Sequence, residues 1–190
     1  MSFHTSHRLL VAFAFLGYAI LTYLIAIGPA LQVQNTSPLP GAHVRSPEEA
    51  LGHERYLAEG CGFCHTQFVR DLPMDRPYGR ASLAEDYALE DPPLLGTQRT
   101  GPDLSNVGAR QSSDAWHLLH LFNPRIVVPQ SVMPGYPWYF AVKDQAAPGD
   151  VTVAVPPAFL PAPGKVVVAK PEARALVAYL LSLRQLKVAP

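Results

Sequence analysis

Cys61-Gly62-Phe63-Cys64-His65 holds the only two cysteines of this chain, three positions apart, with a histidine directly after the second. That spacing is the attachment pattern of a c-type haem. Each thiolate can add to one vinyl group of the porphyrin, and two residues between them let one short turn span both. The next residue then lies under the iron, so His65 can offer the proximal imidazole. A disulfide, a thioredoxin-like redox pair and half of a zinc site are the competing readings. A redox pair does not need the histidine, and a zinc site wants a second ligand pair at a suitable spacing. The haem uses both cysteines, so no disulfide framework and no spare thiol remain. Covalent haem of this kind implies a domain on the outer side of the bacterial cytoplasmic membrane.

The rest of the composition fits around that motif. A length of 190 residues implies one domain with room for an appendage. Lys and Arg total 15 and Asp and Glu total 15, which gives no basic face for nucleic acid. Twenty prolines predict long irregular connections and few regular elements, as expected where a cofactor fills much of the core. No internal repeat is visible.

Toward the N-terminus, Met1 to Arg8 is a polar stub with His4, His7 and Arg8. Leu9 to Ile27 is uncharged and apolar, long enough to cross a bilayer core of roughly 20 residues as a helix. Gly28-Pro29 is expected to end it. A cleaved signal peptide would have a shorter apolar run and a small-x-small site, and Pro29 spoils the only candidate site, before Leu31. The run therefore reads as an uncleaved transmembrane anchor. Arg8 on its N-terminal side favours that end inside. Gly17, Tyr18, Thr22 and Tyr23 could mark a face that packs on another membrane helix. Residues 1–30 are thus the anchor, 31–45 a linker without periodicity, and 46–190 the haem domain.

The haem domain opens at a marked helix. Ser46 is a natural N-cap, Pro47 takes the first helical position and Glu49 completes a capping box. The helix should run to about Glu59 and stop at Gly60, with Leu51, Tyr56 and Leu57 on its apolar side. Gly52 and Tyr56 share a face. A glycine inside a helix costs about 1 kcal/mol, so a close crossing by another helix is expected there. The partner is the amphipathic stretch Pro171 to Leu183, opened by Pro171. Helices crossing in this way beside the haem are the arrangement of class I cytochromes c. The expected fold is therefore mainly α: one N-terminal transmembrane helix, then a class I cytochrome c-like haem domain with long loops.

A six-coordinate haem needs a distal ligand, usually Met or His. Met133 lies in Ser131-Val132-Met133-Pro134-Gly135-Tyr136-Pro137, a loop whose prolines can hold a thioether rigidly, well after the attachment site. It is the favoured ligand, with His120 and Met74 as the other candidates. His117 and His120 share a face of a helix from Ser113 to Phe122, one expected at the surface or an interface and one near the haem edge. Leu104 and Trp116 are candidates for the pocket wall. Arg99 and Arg125 suit the haem propionates, or else are solvated. Lys143 to Ala169 is rich in Pro and Ala. Its two valine-rich stretches, Val151 to Val155 and Lys165 to Ala169, suggest a small hairpin closed around Pro161 to Gly164.

Four blocks, taken in order, resemble a known family. They are Gly60 to Arg70, Arg99-Thr100-Gly101-Pro102-Asp103-Leu104, Trp116 to Arg125, and Pro129-Gln130-Ser131-Val132-Met133-Pro134. Together they look like the mono-haem subunit II of cbb3-type cytochrome c oxidases, over most of residues 47 to 140. The haem motif alone is common to all c-type cytochromes; Gln67-Phe68-Val69-Arg70 and the Arg99 to Leu104 block are more specific. The resemblance implies that Cys61 and Cys64 hold the haem, that His65 is proximal and that Met133 is distal. It also implies a role: taking electrons from another c-type cytochrome, a partner subunit or a soluble protein, and passing them to the haem-copper subunit I that reduces oxygen.

With both axial positions filled the iron has no open site, so the chain is expected to be a non-catalytic redox subunit. Other readings are the membrane-anchored cytochrome c subunit of a nitric oxide reductase, a stand-alone anchored electron shuttle, or a haem sensor or peroxidase-type enzyme. The last of these needs an open or displaceable distal position.

Overall fold

The computed structural model describes residues 6–90, 92–96 and 98–188. Most of the polar stub, Met1 to Thr5 with His4, lies outside the described residues. The chain divides into two units. One contains the N-terminal helix and the short turn Leu83–Ala88; the other contains Pro40–Ser82 and the chain from Leu89 onward.

In the first unit, helix α1 spans His7–Val33 and is long and apolar enough to cross a membrane. Its 27 residues reach ~40 Å, more than the ~30 Å of a bilayer hydrocarbon core. Ser6 caps it by accepting from the Leu9 N–H. Its apolar side chains, Phe15, Tyr18 and Ile25 among them, face outward. Gly28-Pro29 does not end the helix, contrary to expectation. Tyr23–Ile27 form a wider turn, in which the Gly28 N–H reaches back five residues to the Tyr23 carbonyl. That widening makes room for the Pro29 ring beside the carbonyl four residues earlier, and the helix continues to Val33.

The second unit is built on a helix crossing. Helix α2, Pro47–Ala58, starts at Ser46, whose hydroxyl accepts from the Glu49 N–H at 3.3 Å while the Glu49 carboxylate accepts from the Ser46 N–H at 2.7 Å. Glu48 and Glu49 also favour the positive end of the helix dipole. The helix stops at Gly60, which takes a left-handed conformation at φ 66°. It crosses the terminal helix of the domain, which covers Pro171–Ser182. The crossing is as close as the sequence implied. A Cβ on Gly52 would collide with the Ala175 carbonyl and approach the Tyr179 Cβ to 2.7 Å. Tyr56 meets Tyr179 edge-on at 5.4 Å. Leu57 lies about 100° round the helix from Tyr56 and is exposed, so it does not join the apolar face expected of it.

Between the two, α3 is a single turn, Val107–Arg110, and α4 spans Asp114–Phe122 behind a Ser113 cap. The terminal helix is α5; it buries Ala173, Ala175, Leu176, Val177, Tyr179 and Leu180. Full burial of a side chain such as Leu176 stabilises by about 1.5–3 kcal/mol. Among the described residues three short strands complete the unit: β1 Phe140–Lys143, β2 Val151–Val153 and β3 Val166–Ala169, in the order β1-β3-β2, both pairs antiparallel. The expected pairing of the two valine-rich stretches is present, with Val153 opposite Val167 and both buried. β1 was not anticipated; Phe-Ala-Val-Lys is too short to declare itself without its partner.

Candidate functional site

The cysteine motif follows directly from the end of α2. Gly60 turns the chain, and Cys61–Phe63 form one tight helical turn. The Cys61 carbonyl accepts from the N–H of Cys64 at 3.2 Å and of His65 at 3.0 Å. Both thiols are free, Cys61 partly buried and Cys64 exposed. Burial, and then the nearby Glu59 carboxylate, push the Cys61 thiol up to about 11.

His65 is held from the far side by the Arg99 to Leu104 block. Its Nδ1 lies 2.8 Å from the Pro102 carbonyl. A carbonyl only accepts, so Nδ1 carries the proton and the Nε2 lone pair is left for a metal. Burial holds His65 below the usual imidazole value, against the opposing pull of that hydrogen bond. The two segments pair on either side of the contact: Gly101 N–H to the Cys64 carbonyl at 2.9 Å, and Leu104 N–H to the Thr66 carbonyl at 2.8 Å. Gly101 is required for the approach, since a Cβ there would fall 2.7 Å from the His65 Nδ1.

Behind His65 lies a buried ionic network that sequence reasoning missed. Asp75 and Asp103 are fully buried. Asp103 accepts from the Thr66 hydroxyl at 2.6 Å, the Phe68 N–H at 2.8 Å and the Ser105 N–H at 2.9 Å. Asp75 accepts from Arg70 through its backbone N–H, Nε and Nη2, and also from Arg99. The two guanidiniums, Arg70 first, hold the Asp75 carboxyl well below the usual carboxylate range. Arg99 donates further to the Thr66 hydroxyl at 2.7 Å and the Phe68 carbonyl at 2.6 Å. Arg99, expected at a propionate, is thus engaged by the chain itself. Arg125 is exposed and has no side-chain partner among the described residues. The signal for the network was present in the two sequence blocks that stood out as specific, because the network is what joins them.

Met133 is partly buried against the hydrophobic core, its N–H bonded to the Ser131 hydroxyl at 3.2 Å. Met74 is 71% exposed on a short helical turn, Pro73–Tyr78. Leu104 is buried in the core, and Trp116 stacks on His120 with ring centres 4.6 Å apart. Of the two α4 histidines, His117 is buried and His120 half-buried. His117 donates from Nε2 to the Gln111 carbonyl at 2.8 Å. His120 is pushed down to about 4 by burial, with smaller contributions from His117 and His65. Its Nδ1 is buried without a partner among the described residues.

Residues 2–156 match the family described as cytochrome C oxidase, mono-heme subunit/FixO. The chain belongs to this family. A FixO-family chain is a mono-haem cytochrome c subunit of an oxidase, so one haem is implied. The residues present fit it: two free thiols on one turn, an imidazole whose Nε2 lone pair is left over by the Nδ1 hydrogen bond to Pro102, and the orphaned Nδ1 of His120. The match runs past the four blocks that suggested the family and takes in β1 and β2. It stops before β3 and α5, although these complete the same sheet and helix crossing. No match to this chain is found among curated proteins.

Proposed function

We propose that this chain is the electron-transfer subunit of a cbb3-type cytochrome c oxidase. It holds one haem c through Cys61 and Cys64, with His65 as proximal and Met133 as distal ligand. The haem supplies a one-electron Fe(III)/Fe(II) couple. The chain's own residues set the conditions for that couple. The Met133 thioether favours the ferrous state, the Pro102 carbonyl fixes the His65 tautomer, Leu104 and Trp116 wall the pocket, and Arg125 is the guanidinium free for a propionate. With His65 and Met133 holding the iron, the haem would exchange electrons and the chain would perform no bond chemistry itself.

Electrons come from another c-type cytochrome, either a partner subunit or a soluble protein. They pass to haem-copper subunit I, where oxygen is reduced to water. Helix α1 anchors the subunit in the bacterial cytoplasmic membrane with its N-terminus inside, where Arg8 sits, and the haem domain on the outer side. Gly17, Tyr18, Thr22 and Tyr23 offer a face for a helix of the catalytic subunit.

The observation that carries this reading is the His65 Nδ1–H on the Pro102 carbonyl, which leaves the Nε2 lone pair of the Cys-x-x-Cys-His motif for a metal. Gentle detergent purification of this chain from its native membrane tests the assignment. Co-purified b-type haem with oxygen consumption from a reduced cytochrome donor is expected. Nitric oxide turnover without oxygen turnover would replace the reading with a nitric oxide reductase subunit. A lone chain carrying only c-type haem would make it an anchored shuttle.

A further inference from the structure

We infer that Asp103 is a positioning residue for the proximal ligand, acting through Thr66 and Arg99 to hold the His65 Nδ1–H on the Pro102 carbonyl. This rests on the reading of His65 as an iron ligand.

The argument starts from connectivity. Asp103 directly follows Pro102, and Thr66 directly follows His65. One carboxylate reaches both segments. Its Oδ2 accepts from the Thr66 hydroxyl and the Phe68 N–H, and its Oδ1 accepts from the Ser105 N–H. The residues flanking the histidine and those flanking its carbonyl partner are therefore tied to one rigid group with no exposed atoms. Arg99 closes the unit from behind. Its Nε donates to the Thr66 hydroxyl, which in turn donates to Asp103, and its Nη2 lies 3.5 Å from Asp103 Oδ2. Thr66 thus both accepts and donates, and its hydroxyl cannot rotate without breaking one of the two.

The site demands a carboxylate. Donors converge on both oxygens, and an asparagine would turn its own NH2 against an N–H or a hydroxyl on one side. Loss of either side frees the Pro102 carbonyl to move relative to His65. A weaker hydrogen bond at Nδ1 makes the imidazole a poorer electron donor, which destabilises Fe(III) and raises the potential.

The test uses the haem-loaded full chain in detergent, with 15N-labelled histidine and the iron reduced. It reads the solvent exchange of the His65 Nδ1–H by NMR. Asp103→Asn is expected to speed exchange by about tenfold, the scale of one net hydrogen bond. Thr66→Val carries no charge change. It should speed exchange in the same direction and raise the midpoint potential, and Thr66→Ser should restore both. If Asp103→Asn does not retain haem, Thr66→Val and Thr66→Ser decide the matter. Asp150→Asn removes a carboxylate charge bonded to Lys143 and to the Ala147 N–H, outside both paired segments; it should leave the exchange unchanged. Wild-type exchange in Thr66→Val, or equal acceleration in Asp150→Asn, would overturn the inference. Absence of a haem-bound His65 signal from the unaltered chain would instead overturn the ligand reading on which it rests.

Discussion

The Nδ1–H of His65 donates to the carbonyl of Pro102 at 2.8 Å, joining residues 37 positions apart. Three backbone choices make this contact. Gly101 carries no Cβ to block the ring, Pro102 fixes its own φ, and the hydrogen bonds of Gly101 to Cys64 and Leu104 to Thr66 set the two segments side by side. The imidazole tautomer is therefore a property of the fold, and the free lone pair points wherever Nε2 is held.

Gly101→Ala tests this packing. The added methyl would strike the His65 ring, and overpacking costs about 1–3 kcal/mol. Either the ring or the loop must give way. The expected outcome is a chain that retains less haem and shows an altered ferrous spectrum. A spectrum and haem content equal to those of the unaltered chain would place the ring elsewhere.

Met133→Ala tests the distal assignment. Loss of the thioether should lower the midpoint potential and open the iron, so that the ferrous spectrum changes on adding carbon monoxide. Met74→Ala should do neither, because Met74 is exposed. Unchanged redox behaviour in Met133→Ala would pass the role to another residue, with His120 the first to examine.

Gly52→Ala addresses the helix crossing. A methyl there collides with the Ala175 carbonyl, a backbone group that cannot rotate away. A loss of about 3 kcal/mol is expected, at the upper end of overpacking costs, equivalent to roughly 6–12 °C in Tm for a domain of this size. Thermal unfolding followed by circular dichroism measures it. A Tm within a degree of the unaltered chain would contradict the close approach of α2 and α5.

The buried Asp75 makes stability sensitive to acid. Arg70 and Arg99 lower its folded value, so the unfolded chain binds the proton first as pH falls. The contribution is present above the ordinary Asp value of about 4 and is lost as pH drops from there toward the folded value. Denaturant unfolding at a series of pH values should show this fall. Asp75→Asn should be less stable at neutral pH and should lose less between neutral pH and pH 3; an identical pH profile would remove Asp75 from the account.

Local signals were easy to read where one residue type does one job. Ser46 and Glu49 announced a capping box, Gly52 a close crossing, and the cysteine spacing a cofactor. Signals failed where a distant group decides the outcome. Arg99 read as either a propionate partner or a solvated guanidinium, because Asp75, which folds in behind it, lies 24 positions away. Gly28-Pro29 looked like a helix end because a wide turn, which relieves the proline, leaves no mark in composition. Leu57 was placed on the buried face by its side chain, yet the face is set by Gly52 and Tyr56. β1 is four residues long and exists because β3 offers it an edge.

The most direct test of the electron-transfer role is the reaction of the fully reduced, purified complex with oxygen, followed by rapid-mixing spectroscopy. The c-type band assigned to this chain by selective loss in Met133→Ala should oxidise within the turnover time of the oxidase. If that band stays reduced while oxygen is consumed, electrons do not pass through this subunit and the account is wrong.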